Sequence, residues 1–204
     1  MTSEALFEQL KHPNPNMRNR AMLEIADTRD ENTIPRLISI LDEEDVVFRR
    51  AAVQALGVIG TDAIAPLIDL LLNHDNATIR ASCAKVMAQV SVNHPEASFP
   101  LEGIQALKQA VNDLNPVVNI ASVMALGEIG EPAFEVLVDT LSTTENVAVA
   151  VAIVNALGDS GNLKAVEILN RLSKDETVDS YVRESAVSAL PRLDQVMNYK
   201  NRSW

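Results

Sequence analysis

The fold is indicated by a motif that occurs twice, as DVVFRRAAVQALGVIG at residues 45–60 and as NPVVNIASVMALGEIG at residues 115–130. In both copies an Asn or Asp precedes an apolar run rich in helix-forming residues, and the run ends in Gly. The run VAVAVAIVNALG at residues 147–158 repeats the pattern, and weaker copies end at Ala88 and Pro191. Such internal similarity is typical of repeat proteins, in which each repeat is one supersecondary unit.

Aligned on this motif, the chain contains six repeats, which we number one to six. The arginine column, named for the residue that fills most of its places, consists of Arg18, Arg49, Arg80, Asn119, Ala150 and Arg183. Successive members are 31, 31, 39, 31 and 33 residues apart. Four residues before each member stands an Asn or Asp. These six residues form the cap column, Asn14, Asp45, Asn76, Asn115, Asn146 and Asp179.

The cap column predicts where one helix of each repeat begins. Asn and Asp are favoured N-cap residues because their side-chain oxygens accept a hydrogen bond from a free amide of the first turn. Pro15 and Pro116 follow directly, at the position where a helix tolerates proline best. We expect each of these second helices to run about 12 residues, to the Gly that follows Leu or Ile and serves as C-cap.

A shorter amphipathic helix is predicted before each cap. The apolar residues Ile34, Leu37, Ile38 and Leu41 illustrate its helical spacing. Such helix pairs cannot close a core alone and must stack on their neighbours. The chain is therefore predicted to be all-α, an α-α superhelix of about six helix pairs that resembles HEAT-repeat solenoids. The predicted first helices span residues 33–41, 63–72, 104–111, 133–141 and 165–172.

The spacings also predict the domain organisation. Residues 1–193 are expected to form a single HEAT-repeat domain, followed by a C-terminal tail at residues 194–204. The spacing of 39 residues between repeats three and four indicates an insertion loop near residues 90–100, where two X-Pro pairs occur.

Composition excludes several classes of function. The formal net charge is −11, from 28 acidic and 17 basic residues, which argues against nucleic-acid binding. No run approaches the roughly 18 apolar residues of a membrane span, so membrane insertion is not expected. A single cysteine, Cys83, cannot form an internal disulfide, and the N-terminus is acidic where a secretory signal is basic. We therefore expect a cytoplasmic protein.

Individual polar residues favour structural roles. The arginines of the column are expected to bond the Asn/Asp column of the neighbouring repeat, as in other HEAT proteins, rather than to form an anion-binding ladder. His12, His74 and His94 lie in or beside turns without the convergent ligands of a metal site, so no metal is predicted. Cys83 stands in a column of packing residues and is interpreted as a small buried hydrophobe, with a reactive thiol as the alternative.

The candidate site comes from an irregularity in repeats four and five. The outward positions that are polar in repeat two, Arg49, Arg50 and Gln54, become Asn119, Ile120 and Met124 in repeat four and Ala150, Val151 and Asn155 in repeat five, where residues 147–154 are apolar all round. A helix that is apolar on every face is buried on every face, so we expect a concave apolar patch that a partner, the insertion loop or the tail covers. The residues predicted to bind a bilin or a protein partner are Asn119, Ile120, Met124, Val151 and Asn155.

The residues 45–60 and 115–127, together with the overall length, resemble the F-type subunit of the cyanobacterial E/F phycobilin lyases. The resemblance implies a heterodimer with a longer E-type HEAT-repeat subunit. That heterodimer binds phycocyanobilin as its substrate, uses no separate cofactor, and attaches the bilin through a thioether to a cysteine of the phycocyanin α-subunit, or detaches it. It is a carbon–sulfur lyase only as the complex.

The resemblance leaves the catalytic residues unassigned. Family members that also isomerise the bilin carry an adjacent His-Cys pair, whereas Cys83 follows Ser82 here, which favours lyase activity without isomerisation. Because the nucleophile belongs to the acceptor, the lyase need only hold both reactants in attack geometry. The alternative function is a non-catalytic HEAT-repeat adaptor or scaffold that binds phycobiliproteins or another protein. A HEAT enzyme that acts alone is disfavoured because metal and acid–base constellations are missing.

Overall fold

A computed structural model describes the backbone of residues 2–202 and the side chains of residues 2–199. All regular structure in this part of the chain is helical, and it contains no strand. The predicted all-α class, built from repeated helix pairs, is therefore confirmed.

The first helices of the repeats are short, and 3-10 turns adjoin three of them, at Ile40–Asp42, Thr61–Ala63 and Glu131–Ala133. They follow the predicted spans closely, and the largest difference is a start at residue 101 where residue 104 was expected. The first helices are α1 (Ser3–Gln9), α3 (Thr33–Ser39), α5 (Ile64–Asn73), α7 (Leu101–Ala110), α9 (Phe134–Thr143) and α11 (Leu163–Lys174).

Each second helix begins one residue after a member of the cap column. The cap side-chain oxygen accepts a hydrogen bond from the amide two residues ahead, at 2.8 to 3.0 Å in all six repeats. The second helices are α2 (Pro15–Asp27), α4 (Val46–Ile59), α6 (Ala77–Asn93), α8 (Pro116–Ile129), α10 (Val147–Asp159) and α12 (Ser180–Arg202). The caps are Asn14, Asp45, Asn76, Asn115, Asn146 and Asp179.

The helices form two compact units, the first ending at Ala110 and the second beginning at Val111. In unit 1, α2 packs on α4 and α4 on α6, around fully buried leucines such as Leu41, Leu56 and Leu71. In unit 2, α8 packs on α10 and α10 on α12. Its core includes the fully buried Leu126, Ile153 and Leu169. A single domain over residues 1–193 stays a prediction.

The glycines near the ends of the second helices have two different roles. Gly60 and Gly130 end α4 and α8 with positive φ angles of 95° and 74°, which fits the predicted C-cap. The glycines that follow Leu instead lie inside the helices and allow close packing. A Cβ on Gly57 would lie 2.5 Å from the Gln89 Cβ of α6, and one on Gly158 would lie 2.8 Å from the Ala189 Cβ of α12.

The arginine column has different hydrogen-bond partners from those expected. We expected bonds to the Asn/Asp column of the neighbouring repeat. Instead, each guanidinium donates to two backbone carbonyls in the turn just before its own helix. These are the carbonyls of His12 and Pro13 for Arg18, Glu43 and Glu44 for Arg49, His74 and Asp75 for Arg80, and Glu176 and Val178 for Arg183. The arginines thus fix the turn within a repeat.

The insertion loop is shorter in the structure than predicted. Helix α6 continues through residues 90–93, so only residues 94–100 are irregular. Within unit 1, the His94 ring lies against Gly60 and the Phe99 ring against Gly103. The His94 Nε2 is 2.9 Å from the carbonyl oxygen of Val58.

The predicted tail also differs from the structure, because α12 continues past Pro191 to Arg202. A proline removes one helical hydrogen bond, but long-range contacts compensate here. Leu193 is fully buried, and the Arg192 side chain forms an ion pair with Asp159 at 2.6 Å. Residues 203 and 204 of the predicted tail lie outside the described residues.

Within residues 2–202, no single helix has both the length and the apolar character to cross a membrane.

Candidate functional site

The outer faces of α10 and α12 form an open groove in unit 2, which we call the α10–α12 groove. Its volume is about 610 Å³. Both helices contribute residues at helical spacing, so that one face of each helix lines the groove. The lining residues are Val147, Ala148, Val151 and Asn155 from α10 and Tyr181, Glu184, Ser185 and Ser188 from α12.

The α10 side of the groove is mostly apolar because Val147, Ala148 and Val151 line it, whereas repeat two has Arg50 at the position of Val151. The inner face of α10, with Ile153 and Leu157, is fully buried in the unit core. The outer face keeps Val147 37% exposed and Val151 half-buried. Apolar side chains that remain accessible at a concavity are typical of a binding surface.

Helix α12, on the other side of the groove, adds polar groups to the mainly apolar residues of α10. The Tyr181 side chain is 70% exposed and presents both an aromatic ring and a phenol. Glu184 supplies a carboxylate, and none of the eight lining side chains is basic. At one end, the Asn155 Oδ1 accepts a hydrogen bond from Arg192 at 3.2 Å, and Arg192 is itself paired with Asp159. The groove thus suits an apolar, flat or extended ligand with hydrogen-bonding edges better than an exposed anion.

The predicted patch residues fall into two groups. Val151 and Asn155 line the groove, as just described. On the adjacent helix α8, Met124 is 62% exposed and Ile120 half-buried, so both extend the apolar surface toward α10. Asn119 differs, because only 5% of it is exposed. It occupies the arginine column and directs its Nδ2 to the Asp113 carbonyl oxygen at 3.5 Å, so it cannot provide a surface contact.

Sequence reasoning missed the α12 side of the groove. Tyr181 and Glu184 align with Ala148 and Val151 of repeat five, so the repeat alignment contained the signal. Repeat six keeps its polar residues, so the change from polar to apolar residues in repeats four and five does not extend to it. The groove in the structure therefore reaches one repeat beyond the predicted patch and includes an aromatic and an acidic side chain.

Cys83 is fully buried on α6. Burial raises the pKa of its thiol from the ordinary 9.0 to about 12, because the thiolate would lose its solvation. Since the thiolate is the nucleophile, this cysteine is unreactive at neutral pH in the folded chain. The interpretation as a small buried hydrophobe is consistent with this geometry.

His12 and His74 stabilise the turns before α2 and α6. The Nδ1 atoms of His12 and His74 each accept a hydrogen bond from the amide of the cap residue two positions ahead, at 3.0 Å. Among the described residues, no group of three or more His, Cys, Asp or Glu side chains is arranged to hold a metal ion.

Comparison with known proteins shows a repeat family and two similar cyanobacterial proteins. A family model described as HEAT repeats matches residues 3–98 and 104–191. The chain is 52% identical over 200 residues to a protein named uncharacterized phycocyanin operon protein Z of Pseudanabaena tenuis (strain PCC 7409). This match covers 98% of the chain and 99% of the relative.

A second relative and a solved structure extend this likeness. The bilin biosynthesis protein CpeZ of Synechococcus sp. (strain WH8020) is 32% identical over 178 residues, which cover 84% of the chain and 95% of the relative. The complex of CpcE and CpcF of phycocyanin lyase from Nostoc sp. PCC7120 matches with a TM-score of 0.50 at 18% identity. That match covers 76% of this chain and 96% of the solved one, and it supports the fold alone. The chain belongs to the HEAT-repeat proteins, in one family with phycocyanin operon protein Z and the bilin biosynthesis protein CpeZ.

Proposed function

We propose that the chain acts in phycobilin attachment, as the F-type-like subunit of a heterodimeric HEAT-repeat lyase that pairs with an E-type subunit. The heterodimer binds phycocyanobilin as substrate, without a further cofactor, and transfers it to a cysteine of the phycocyanin α-subunit. The names of the two relatives support a role in bilin chemistry, and the fold of the CpcE–CpcF complex supports a HEAT-repeat pair.

The observation that carries the proposal is the α10–α12 groove. Its volume of about 610 Å³ lies within the range of small-molecule sites, roughly 300–1,000 Å³. Val147 and Val151 offer apolar contact to the faces of pyrrole rings, while the Tyr181 and serine hydroxyls can bond ring-edge nitrogens or lactam oxygens.

The composition of the groove supports the proposed need for a partner. A bilin carries two propionate groups, and the groove offers them no basic side chain. Glu184 adds a carboxylate of the same sign, and the nearby Arg192 is already paired with Asp159. The positive charge that binds the propionates would therefore come from the partner subunit or the acceptor.

The chemistry requires positioning more than functional groups of this chain. The acceptor thiol adds across a vinylic carbon–carbon double bond of the bilin. A carbon–sulfur bond forms at one carbon, and the other carbon receives the proton. Since Cys83 is buried with a raised pKa, it does not act as a transfer nucleophile. Holding bilin and acceptor in attack geometry can supply much of the rate enhancement.

Co-expression with the E-type subunit, the phycocyanin α-subunit and phycocyanobilin tests the proposal. We expect an acceptor that stays coloured after denaturation and gains the mass of one bilin. The matched control omits only this chain. An acceptor that is coloured equally without the chain, or that remains colourless in the complete mixture, contradicts the proposal.

The alternative is a non-catalytic adaptor that binds phycobiliproteins, and the buried Cys83 together with the lack of a metal cluster among the described residues is compatible with it. An adaptor would bind the α-subunit with and without attached bilin while transferring none. Binding measurements with both forms of the α-subunit, beside the transfer assay, separate the two functions.

A further inference from the structure

The arginine column points to a second site, because one of its places is vacant. In repeats one, two, three and six an arginine guanidinium lies against two carbonyl oxygens of the preceding turn. In repeat three, for example, the Arg80 Nη1 lies 2.6 Å from the His74 oxygen and 3.0 Å from the Asp75 oxygen. In repeat five the column residue is Ala150, which has no polar side-chain group.

The turn of repeat five has kept the shape that receives an arginine. His74 and Thr144 occupy equivalent positions, with φ and ψ of −70° and 135° against −75° and 132°. The following caps Asn76 and Asn146 also agree, at −80° and 111° against −83° and 106°. The Thr144 carbonyl therefore points as the His74 carbonyl does, and no described side chain donates to it or to the Glu145 carbonyl.

A cavity of about 260 Å³ occupies the vacant place. Its walls include Thr144, Glu145 and Ala150 of repeat five and Val178, Asp179 and Val182 of repeat six. Two of these side chains are carboxylates, and the turn adds carbonyl oxygens, so the cavity is lined mainly by acceptors and apolar groups. Carbonyl oxygens that receive no side-chain hydrogen bond, next to carboxylates, favour a cationic donor.

We propose that this cavity binds the guanidinium group of an arginine that a partner protein inserts, in place of the internal arginine that repeat five lacks. A planar guanidinium can donate to both carbonyls at once, which an ammonium group on a lysine does less well. The net charge of −11 favours a partner with a basic contact surface. Arginine binding in this cavity does not require lyase activity.

Arg183 and Asn119, the neighbours of Ala150 in the arginine column, are compatible with this binding. Arg183 fills the column in repeat six and has the same charge as the proposed ligand. However, Arg49 and Arg80 fill the column in two successive repeats, so this arrangement accommodates adjacent guanidinium groups. The Asn119 of repeat four reaches its turn carbonyl with a carboxamide at 3.5 Å, which makes repeat five the more open place.

The cavity adjoins the α10–α12 groove, since Val147 lines both. A protein chain that passes along the groove could therefore place an arginine side chain into the cavity. This continuity favours a protein ligand over a free small cation.

The test titrates the labelled chain with N-acetyl-arginine amide and follows its backbone amides by NMR. We expect saturable shifts confined to residues 144–150 and 178–182. N-acetyl-citrulline amide, which has the same shape without the charge, should bind about tenfold more weakly. Ala150→Arg fills the cavity from within and should abolish the shifts, while Ala150→Met, of similar length without charge, should reduce them less.

Thermal unfolding gives an independent measurement. Ala150→Arg should raise the midpoint by about 2–4 °C because it satisfies both carbonyls, and Ala150→Met should not. Absent or diffuse shifts with the arginine probe, or equal binding of the citrulline probe, overturn the proposal. If Ala150→Arg fails to fold, the wild-type titrations still decide.

A blocked Gly-Gly-Arg-Gly-Gly peptide distinguishes a protein ligand from a free cation. A peptide that binds at least as well as the single amino acid supports insertion by a partner protein. A peptide that is excluded, while agmatine binds, assigns the cavity to a small cation and overturns the protein part of the proposal.

Discussion

Asn146 shows how a single side chain fixes the start of a helix. Its Oδ1 accepts from the Ala148 amide at 3.0 Å and lies 3.3 Å from the Val149 amide. The amides of a first helical turn have no partner within the helix, and the cap provides one. The following run of valines and alanines contributes no other polar group to this end of α10.

Removing this cap should destabilise unit 2. We expect Asn146→Ala to lower the free energy of unfolding by about 1 kcal/mol, measured by urea denaturation. The matched control is Asn73→Ala, an exposed asparagine at the end of α5 whose change should stay within about 0.5 kcal/mol. Equal losses in both variants would show that the cap adds nothing specific.

Because of Cys83, the free energy of unfolding should depend on pH in the alkaline range. The folded chain keeps this thiol protonated up to a pKa of about 12, whereas in the unfolded chain it ionises near the ordinary 9.0. The unfolded state therefore loses a proton first, and the free energy of unfolding falls as pH rises between these values.

The Cys83→Ala variant lacks this titrating thiol. The difference between the wild type and the variant therefore separates the effect of the thiol from that of lysine and tyrosine side chains, which also titrate at alkaline pH. We expect the wild type to lose about 1.4 kcal/mol more per pH unit than Cys83→Ala once the pH exceeds 9.0. Urea denaturation of both proteins from about pH 8 to about pH 11 provides the measurement. Parallel curves would mean that the thiol is more accessible than the structure indicates.

At the scale of helices, a column of glycines sets how closely the second helices pack. A Cβ on Gly57 would lie 2.5 Å from the Gln89 Cβ, next to the backbone of α6. The same position in repeat four, Gly127, would place its Cβ at 3.1 Å from the Ala156 Cβ. The first distance is a clash that requires the helices to move, and the second needs only a small adjustment.

The two glycines should therefore respond differently to alanine. We expect Gly57→Ala to destabilise the chain by about 1–3 kcal/mol through overpacking, although alanine favours a helix. Gly127→Ala should remain within about 1 kcal/mol of the wild type, because helix propensity offsets the closer contact. Thermal or urea unfolding measures both, and a similar loss at both positions would contradict the packing argument.

The elements differ in how far the sequence could predict them. The starts of the second helices were predictable because the cap hydrogen bond joins residues only two positions apart. The continuation of α12 past Pro191 was not, since the contacts seen there, such as the ion pair of Arg192 with Asp159 of α10, join residues far apart in the sequence. The arginine partners were likewise misassigned, because spacing does not tell a turn carbonyl from a neighbouring cap.

At the scale of the whole molecule, exposed apolar residues distinguish the candidate binding surface. Met124 in unit 2 is 62% exposed and Leu23 in unit 1 is 56% exposed. Both occupy the same column of the repeat, so their local environments on the helix are matched. Only Met124 lies beside the helix that lines the groove.

This pair tests the docking of the proposed E-type subunit. We expect Met124→Asp and Val151→Asp to weaken binding about tenfold or more, because a charge would be buried without a partner. Leu23→Asp should change the affinity less than about twofold, since a scattered surface residue contributes little. Calorimetric titration measures affinity, and circular dichroism verifies the helical content. A loss of binding in Leu23→Asp of the same size would place the contact elsewhere.

The site was only partly predictable from sequence. Val151 and Met124 were found because their columns change from polar to apolar. Asn119 belongs to the arginine column and is buried, and its role became visible only when its contact with the Asp113 carbonyl was known. Tyr181 was missed because the polar residues of repeat six resemble an ordinary solvated face. Periodicity predicts which face a residue occupies, but burial depends on the neighbouring repeat.

The cap column also bears on how the chain acquires its structure during synthesis. Each cap bonds an amide within its own helix, so the start of a helix requires no residue from a later repeat. As the polypeptide leaves the ribosome, an early repeat can therefore begin to form while the later ones are still untranslated. Local contacts of this kind favour rapid folding. A tandem duplication of the gene segment that encodes one repeat would also copy the cap residue that starts the second helix.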